Sequence, residues 1–170
     1  LDFVEFAKAR AIKLRFIEYM DVGGATHWQA EKVFALSDVL RVLSRAYGEV
    51  SETSSDPSAP ARVFRLPSGQ KVGVIASVSA PFCGACDRAR ITADGMFLTC
   101  LYSDQGFSLR EVLRNGTQEK VVKKLINKIW SGRNDAGAED RQALAQERQA
   151  IFSLQELRQN VHREMHLRGG

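Results

Sequence analysis

The hydrophobic and polar positions near the start of the chain follow first a helical and then a strand-like period. In residues 1–10 the apolar side chains recur at helical spacing, and in residues 12–19 they occupy alternate positions. Gly23 and Gly24 then force a turn. The pattern predicts a helix, a strand and a Gly-rich loop, which together form one α/β unit of a parallel sheet or barrel. In such folds the loops at the carboxyl ends of strands carry ligands.

The next part of the sequence combines a predicted helix with a polar segment. The apolar residues of 39–48 recur at helical spacing, with Ser37 or Asp38 as a credible cap and Gly48 as a credible end. Residues 49–60 are polar and contain two prolines, which predicts an exposed linker. We therefore expect a boundary between two structural regions at this linker.

Beyond residue 60, strand patterns are followed by helical ones. The turn signatures Pro67-Ser68-Gly69 and Asp94-Gly95 each lie between β-type segments and predict two hairpins. After the hairpins we predict a short helix at 108–116, with Ser108 as its cap and Glu111 in its first turn. An amphipathic helix at 118–130 follows, whose inward-facing residues are Val121, Val122, Leu125, Ile126 and Ile129. Residues 131–150 are expected to form a loop or a poorly anchored helix, and a last helix begins at Ser153.

Composition and charge narrow the class of function. The 170 residues carry 24 basic and 20 acidic side chains, and the resulting net charge of +4 is too small to favour nucleic acid. A local basic cluster could still bind a phosphorylated small molecule. No run of about 18 apolar residues occurs, so no membrane segment is expected. The sequence begins at Leu1 inside a helical pattern, without a targeting segment, and we expect it to be part of a longer protein.

The three cysteines are clustered, with Cys83, Cys86 and Cys100 in the spacing C-x2-C-x13-C. Their odd number argues against a fully paired disulfide framework, and their clustering favours a metal site over a redox pair or buried thiols. The predicted hairpin brings the third cysteine back toward the first two, because paired strands lie about 5 Å apart. Three cysteines can hold a [4Fe–4S] cluster with one iron open, whereas structural zinc would need His162 or His166 as a fourth ligand. Spacing alone leaves both metals open.

Charged residues near the cysteines suggest what the site binds. Arg88 and Arg90 follow the second cysteine and are two apart on a predicted strand, so their side chains share a face. Two guanidinium groups beside a thiolate site can bind phosphate oxygens in bidentate fashion. Two exposed arginines on an edge strand are the alternative. Glu18, on the first strand, could bind a ligand or pair with a neighbouring Arg or Lys.

Three stretches of the sequence resemble one known family. Residues 82–102 contain the three cysteines, two arginines after the second cysteine and an Asp-Gly turn before the third. This stretch resembles the carboxy-terminal cluster signature of the molybdenum cofactor biosynthesis protein A family, the GTP 3′,8-cyclases. RFIEYMDVG, residues 15–23, resembles a late barrel strand of that family, and Gly169-Gly170 resembles its terminal Gly-Gly pair.

The resemblance implies a role for each matching residue. Cys83, Cys86 and Cys100 would ligate a [4Fe–4S] cluster whose fourth iron binds the guanine base of GTP. Arg88, Ala89 and Arg90 would bind GTP, chiefly through its phosphates, and Arg15 would contact the same substrate. Met20 would contact S-adenosylmethionine. The Gly169-Gly170 tail would enter the active site as a catalytic element.

The resemblance also implies an architecture and a reaction. Residues 1–48 would end an incomplete radical-SAM (β/α) barrel, and residues 61–170 would form an α+β region with hairpins around an iron–sulfur site. In the family, a second cluster reduces S-adenosylmethionine to a 5′-deoxyadenosyl radical that abstracts the ribose 3′ hydrogen of GTP. The product, 3′,8-cyclo-7,8-dihydro-GTP, is then used by cyclic pyranopterin monophosphate synthase. The setting would be the cytoplasm, or the mitochondrion in a eukaryote.

The sequence departs from the family in one respect, because it contains no radical-generating C-x3-C-x2-C motif. We therefore expect the isolated chain to be inactive. The edge of residues 12–19 is expected to be unprotected unless the chain forms a homodimer. Neither nucleic acid nor a membrane is an expected partner. The alternatives are an auxiliary-cluster domain of another radical-SAM protein and a zinc-binding module for phosphates or nucleic acid.

Overall fold

The computed structural model describes residues 1–20, 28–53, 56, 58–103 and 105–146. Several features expected from the sequence lie outside these residues. They are the Gly23-Gly24 loop, the helix that begins at Ser153, the histidines at 162 and 166, and the Gly169-Gly170 tail.

The chain divides into two compact units, residues 1–20 with 29–86 and residues 21–28 with 87–170. The expected linker, residues 49–60, lies inside the first unit. The compact units therefore do not follow the domain boundaries expected from the sequence. The reason is that the strands after the expected linker join the sheet that begins before it.

The first unit is a mixed α/β layer structure. Its sheet has the order β1-β4-β3-β2, in which β1 and β4 are parallel and the other pairs are antiparallel. The elements are α1 (Asp2–Ala9), β1 (Leu14–Ile17), α2 (Leu36–Tyr47), β2 (Ser51–Thr53), β3 (Arg62–Arg65) and β4 (Lys71–Ile75), with 3₁₀ turns at Ala30–Lys32 and Cys83–Ala85. The predicted first helix, first strand and first hairpin are confirmed.

Both helices of the first unit contribute to one hydrophobic core on a single face of the sheet. Alternate strand residues point toward this core, as the two-residue period requires. Leu14 and Phe16 pack against it, whereas Arg15 and Ile17 are exposed. The buried residues of the core are Val4, Leu36, Val39, Leu43, Phe64, Leu66, Val72, Val74 and Ala76.

Part of the expected linker is a strand. Residues 51–53 form β2, which pairs with β3 although the segment is polar. Side chains across the pair explain this difference. Arg62 donates to both oxygens of Glu52, at 2.8 Å from Nε and 2.6 Å from Nη2, and Thr53 Oγ1 donates to the Val63 carbonyl at 3.0 Å. Such cross-strand contacts stabilise a polar edge strand.

Helix α2 begins earlier than its pattern predicts. Its N-cap is Ala35, and Asp38 is the third helical residue, whose carboxylate accepts from the Ala35 N–H at 3.1 Å. Neither Ser37 nor Asp38 is therefore the cap. The expected end at Gly48 is confirmed, and this glycine has a φ of +92°.

The second unit packs a small antiparallel sheet and helices around its own core. The sheet order is β5-β6-β7, and the hairpin predicted around Asp94-Gly95 is confirmed. The elements are β5 (Arg90–Ile91), β6 (Met96–Leu98), β7 (Phe107–Ser108), α3 (Leu109–Arg114), α4 (Glu119–Ser131) and α5 (Gly137–Gln146). The Ser108 cap is confirmed, because its Oγ accepts from the Glu111 N–H at 3.3 Å.

The core of the second unit lies between the sheet and helix α4. Phe97, Leu109 and Val122 are buried, and Ile126 and Trp130 of α4 pack against them. The inward placement expected of Val121 is wrong, since this residue is 49% exposed. In the described part of the chain, no helix is both long and apolar enough to cross a membrane.

Gly95→Ala is predicted to destabilise the second unit. Gly95 has a φ of +86°, and an added Cβ would lie 2.7 Å from the Cβ of Arg110. We expect a loss of about 2–3 kcal/mol in the free energy of unfolding, from backbone strain together with this contact. Gly69→Ala is the matched control, because Gly69 has a φ of +84° with nothing within 4 Å of an added Cβ. Equal losses in the two variants, measured by urea unfolding, would contradict the prediction.

The Glu52–Arg62 pair is predicted to make a small, pH-dependent contribution to stability. The hydrogen bond from Arg62 holds the pKa of Glu52 below its ordinary value of 4.5. The contribution is therefore complete above that value and is lost as the pH falls through the lower folded-state pKa. Because both side chains are 43% exposed, Glu52→Gln should cost only about 0.5 kcal/mol at neutral pH. The difference in unfolding free energy from wild type should shrink as the pH falls through the lowered folded-state pKa and vanish below it, and a constant difference would argue against the pair.

Candidate functional site

Arg15 lies on the face of the first sheet opposite the helices. It is in register with Gly73 of β4. A Cβ on Gly73 would lie 3.0 Å from Cγ of Arg15 and 3.5 Å from Cβ of Ala61. Gly73 thus leaves room for the aliphatic stem of Arg15 to cross the neighbouring strand. The sequence predicts the direction of Arg15 but not this glycine beneath it.

Met20 follows strand β1 and is half-buried. It leaves the sheet at the carboxyl end of β1, which is the edge where α/β folds place ligands. The residues that follow it, 21–27, lie outside the described part of the chain. A role of Met20 in binding S-adenosylmethionine stays a prediction.

Glu18 is a buried carboxylate at the same edge, with 3% of its surface exposed. Its Oε1 accepts from the Leu36 N–H at 2.8 Å and from the Ser79 hydroxyl at 2.5 Å. Its Oε2 accepts from the N–H groups of Val78 and Ser79, both at 2.8 Å. Burial of a charge is tolerated when donors satisfy its oxygens, and the start of helix α2 adds a favourable dipole. Glu18 is therefore bound by backbone and hydroxyl donors, which neither of the sequence-based alternatives anticipated.

Cys83 and Cys86 lie on one tight turn in the first unit. The 3₁₀ turn Cys83–Ala85 is closed by a hydrogen bond from the Cys86 N–H to the Cys83 carbonyl at 3.1 Å. Both cysteines are half-buried, and Gly84 and Ala85 between them are exposed. The C-x2-C pair thus lies on a single closed turn. It presents two thiols from neighbouring points of the chain.

Arg88 and Arg90 belong to the second unit; Arg90 begins strand β5, whereas Arg88 lies two residues before the strand on which both were expected. Burial alternates here, since both arginines are half-buried whereas Ala89 and Ile91 are exposed. The Nε atom of Arg88 is buried. Neither arginine is fully exposed, and the placement of both guanidinium groups on one face stays a prediction.

Cys100 lies just beyond strand β6, against the beginning of helix α5. Its Sγ accepts from the Tyr102 N–H at 3.4 Å. A Cβ on Gly137 would lie 3.1 Å from this Sγ and 2.7 Å from Cβ of Tyr102. The helix can start this close to the thiol because residue 137 has no side chain.

A polar pocket of about 410 Å³ adjoins Cys100 within the second unit. Arg141 of α5 is only 9% exposed and lies over the ring of Tyr102, with its Cζ 4.3 Å from the ring centre. Asp135 accepts from the Ser103 hydroxyl at 3.4 Å and lies 3.9 Å from Arg133 Nε. The pocket is lined by Cys100, Tyr102, Ser103, Asn134, Asp135, Ala136, Gly137 and Asp140.

Sequence analysis did not assign any chemistry to residues 131–150. In the structure part of this segment is helix α5, and its first residues line the pocket beside Cys100. One sequence signal does indicate this helix: Asn134 and Asp135 precede a stretch rich in Ala and Gln, and Asn or Asp at such a position is typical of a helix start. The low content of apolar residues left a loop and a poorly anchored helix as alternatives, and in the structure Arg141 of this helix is buried.

The predicted site residues are thus distributed over both units. Arg15, Met20, Cys83 and Cys86 belong to the first, whereas Arg88, Ala89, Arg90 and Cys100 belong to the second. Within the described ranges, no three His, Cys, Asp or Glu side chains are grouped to hold a metal ion. The full ligand set therefore stays a prediction, as does the role of Gly169 and Gly170.

Comparison with known proteins identifies relatives over almost the whole chain. GTP 3′,8-cyclase 1 of Mycobacterium tuberculosis (strain CDC 1551 / Oshkosh) is 46% identical over 170 residues, which cover 99% of this chain and 47% of that protein. GTP 3′,8-cyclase of Synechococcus sp. (strain CC9902) is 34% identical over 170 residues, 100% of this chain and 46% of that protein. GTP 3′,8-cyclase of Aquifex aeolicus (strain VF5) is 36% identical over 148 residues, 87% and 44% respectively.

The chain spans about half the length of the curated relatives it matches. Residues 12–139 match the family described as Molybdenum Cofactor Synthesis C. The matched region includes Arg15, the three cysteines and the start of helix α5, and it confirms the family that the sequence resembles. This chain belongs to the Molybdenum Cofactor Synthesis C family.

Proposed function

We propose that this chain is the carboxy-terminal part of a radical-SAM GTP 3′,8-cyclase, which converts GTP to 3′,8-cyclo-7,8-dihydro-GTP in the first step of molybdenum cofactor biosynthesis. Its contribution would be an auxiliary [4Fe–4S] site and part of the GTP site. The observation that carries the proposal is the position of the cysteines. Two lie on one closed turn and the third follows a hairpin strand, all inside the region that matches the family.

The donor set fits a cluster with one open position. The sequence offers three cysteines, and Gly84 leaves open space at the turn between the first two. A [4Fe–4S] cluster can be held by three thiolates, whereas a structural zinc site takes four protein ligands. When bound, such a cluster would supply an open iron position for an atom of the guanine base. Cys83, Cys86 and Cys100 would hold it.

The arginines fit the phosphate groups of GTP. Arg88 and Arg90 would offer two planar guanidinium groups, which bind phosphate oxygens in bidentate fashion. Arg15 would approach the same substrate from the exposed face of the first sheet, where Gly73 leaves room for its stem. Together these groups would fix the orientation of the ribose, which is the protein's main contribution to a reaction at a defined carbon atom.

The proposal further includes the S-adenosylmethionine contact, the Gly-Gly tail, the radical source and the downstream enzyme. Met20 would contact S-adenosylmethionine, and the Gly169-Gly170 tail would enter the active site. The sequence contains no C-x3-C-x2-C motif, so the radical source would lie in another part of the parent protein and the isolated chain would be inactive. Cyclic pyranopterin monophosphate synthase would consume the product, in the cytoplasm or, in a eukaryote, the mitochondrion.

The first test is the iron and sulfide content of the chain after anaerobic reconstitution. We expect about four irons per chain with a broad absorption band in wild type, because the cysteines hold a [4Fe–4S] cluster. Cys83→Ala, Cys86→Ala and Cys100→Ala should each lose most of this iron. Ala85→Ser, on the same turn but not a ligand, should retain it. One zinc in a colourless protein would favour the zinc-binding module, and no bound metal would contradict the proposal.

The second test separates phosphate recognition from base recognition. Arg88→Ala and Arg90→Ala should each weaken GTP binding to the reconstituted chain by about tenfold to a hundredfold, the effect of losing hydrogen bonds to a charged group. Guanosine, which lacks phosphates, should bind to both variants with the same affinity as to the wild-type chain. Arg114→Ala, an exposed arginine at the end of α3, is the matched control. Calorimetric titration that showed equal losses for GTP and guanosine would place the arginines elsewhere than on the phosphates.

A further inference from the structure

Glu18 connects the end of strand β1 to the segment that leaves strand β4. Its backbone N–H donates to the Ile75 carbonyl at 3.1 Å, which extends the pairing of the two strands by one residue. Its side chain then reaches past the end of β4 to the N–H groups of Val78 and Ser79. Main chain and side chain of one residue therefore hold the same outgoing segment.

The segment held by Glu18 is a tight turn that leads directly to the cysteines. The turn is closed by a hydrogen bond from the Ala80 N–H to the Ala76 carbonyl at 3.1 Å. The residues between Ser79 and Cys83 are Ala80, Pro81 and Phe82. Proline fixes its own φ, so this connection is stiff. A displacement of the turn would therefore be transmitted to the first cysteine.

The carboxylate is suited to this task because it only accepts hydrogen bonds. The Leu36 N–H, at the beginning of the 12-residue helix α2, approaches Oε1, and the two turn amides approach Oε2. A glutamine of the same shape would place an NH₂ group against N–H donors on one side or the other. Two acceptor oxygens are thus required at position 18 to hold both the turn and the helix start.

We infer that Glu18 is a positioning residue for the metal ligands, which fixes the turn at 76–80 so that Cys83 and Cys86 are held ready for a cluster. The inference rests on the proposed function only for what the cysteines bind. Glu18 itself touches neither substrate nor metal in this role. It acts through Val78, Ser79 and the stiff connection to Cys83.

The test is pulse labelling of the metal-free chain with iodoacetamide, with each cysteine quantified by mass spectrometry. In Glu18→Gln, labelling of Cys83 and Cys86 should become about tenfold faster, the effect of losing one hydrogen bond to a charged group in a locally opening segment. Cys100 lies in the other compact unit and serves as an internal reference whose labelling should not change. A general loss of stability would instead accelerate all three.

Glu52→Gln is the matched control, because it makes the same chemical change at the β2–β3 edge of the same unit. Its small cost in stability should change the three labelling rates by no more than about twofold and without favouring Cys83 and Cys86. Ser79→Ala is a milder variant that removes only the hydroxyl donor, and it should accelerate Cys83 and Cys86 by about threefold. If Glu18→Gln does not fold, Ser79→Ala tests whether the turn positions the two cysteines.

Unchanged labelling of Cys83 and Cys86 in a folded Glu18→Gln variant would overturn the inference, as would an equal acceleration at all three cysteines. If only Ser79→Ala folds, the inference would be overturned by labelling of Cys83 and Cys86 that is no faster than in wild type. Iron content after reconstitution is measured separately. Wild-type chain without iron would contradict the proposed function, whereas the labelling result depends only on the thiols of the metal-free protein.

Discussion

The parallel pairing of β1 with β4 determines where the functional residues of the first unit lie. Parallel strands end at the same edge of a sheet, so the chain leaves Ile17 and Ile75, which are paired in register, side by side. Glu18 and Met20 follow the first of these exits, and the turn toward the cysteines follows the second. The pairing also sets the opposite face, where Arg15 lies over Gly73. The register of β1 against β4 thus determines the positions of Glu18, of Arg15 and of the turn that leads to Cys83.

A different constraint acts in the second unit, where a helix start must fit against a thiol. Cys100 lies between the end of β6 and the first turn of α5, and the close approach depends on Gly137. Arg141 of helix α5 stacks over the ring of Tyr102, and this contact attaches the helix beside the thiol. A polar anchor of this kind leaves a polar pocket beside the cysteine, whereas a leucine-rich helix would fill that space.

The sequence predicted those parts of the fold that depend on local periodicity and turn chemistry. The hairpins around Gly69 and Gly95 are correct because both positions adopt positive φ, which glycine tolerates. The start of α2 was missed because a distant side chain, Glu18, accepts from Leu36 where a local cap was expected. Strand β2 was missed for a related reason, since cross-strand contacts to Arg62 and Val63 override its polar composition. Contacts between residues far apart in sequence leave no periodic signal.

The candidate site itself was predicted where side-chain type carries the chemistry and missed where backbone space does. Cysteines and arginines are visible in a sequence, but a glycine reveals its purpose only when its neighbours are known. Gly73 beneath Arg15 and Gly137 beside Cys100 each break a local preference, one inside a strand and one at a helix start. Glu18 breaks another, because it is a charge in a buried position. Natural sequences accept such local costs chiefly at functional sites. Gly73 and Gly137 each approach the side chain of a predicted site residue, and Glu18 precedes Met20 by two positions.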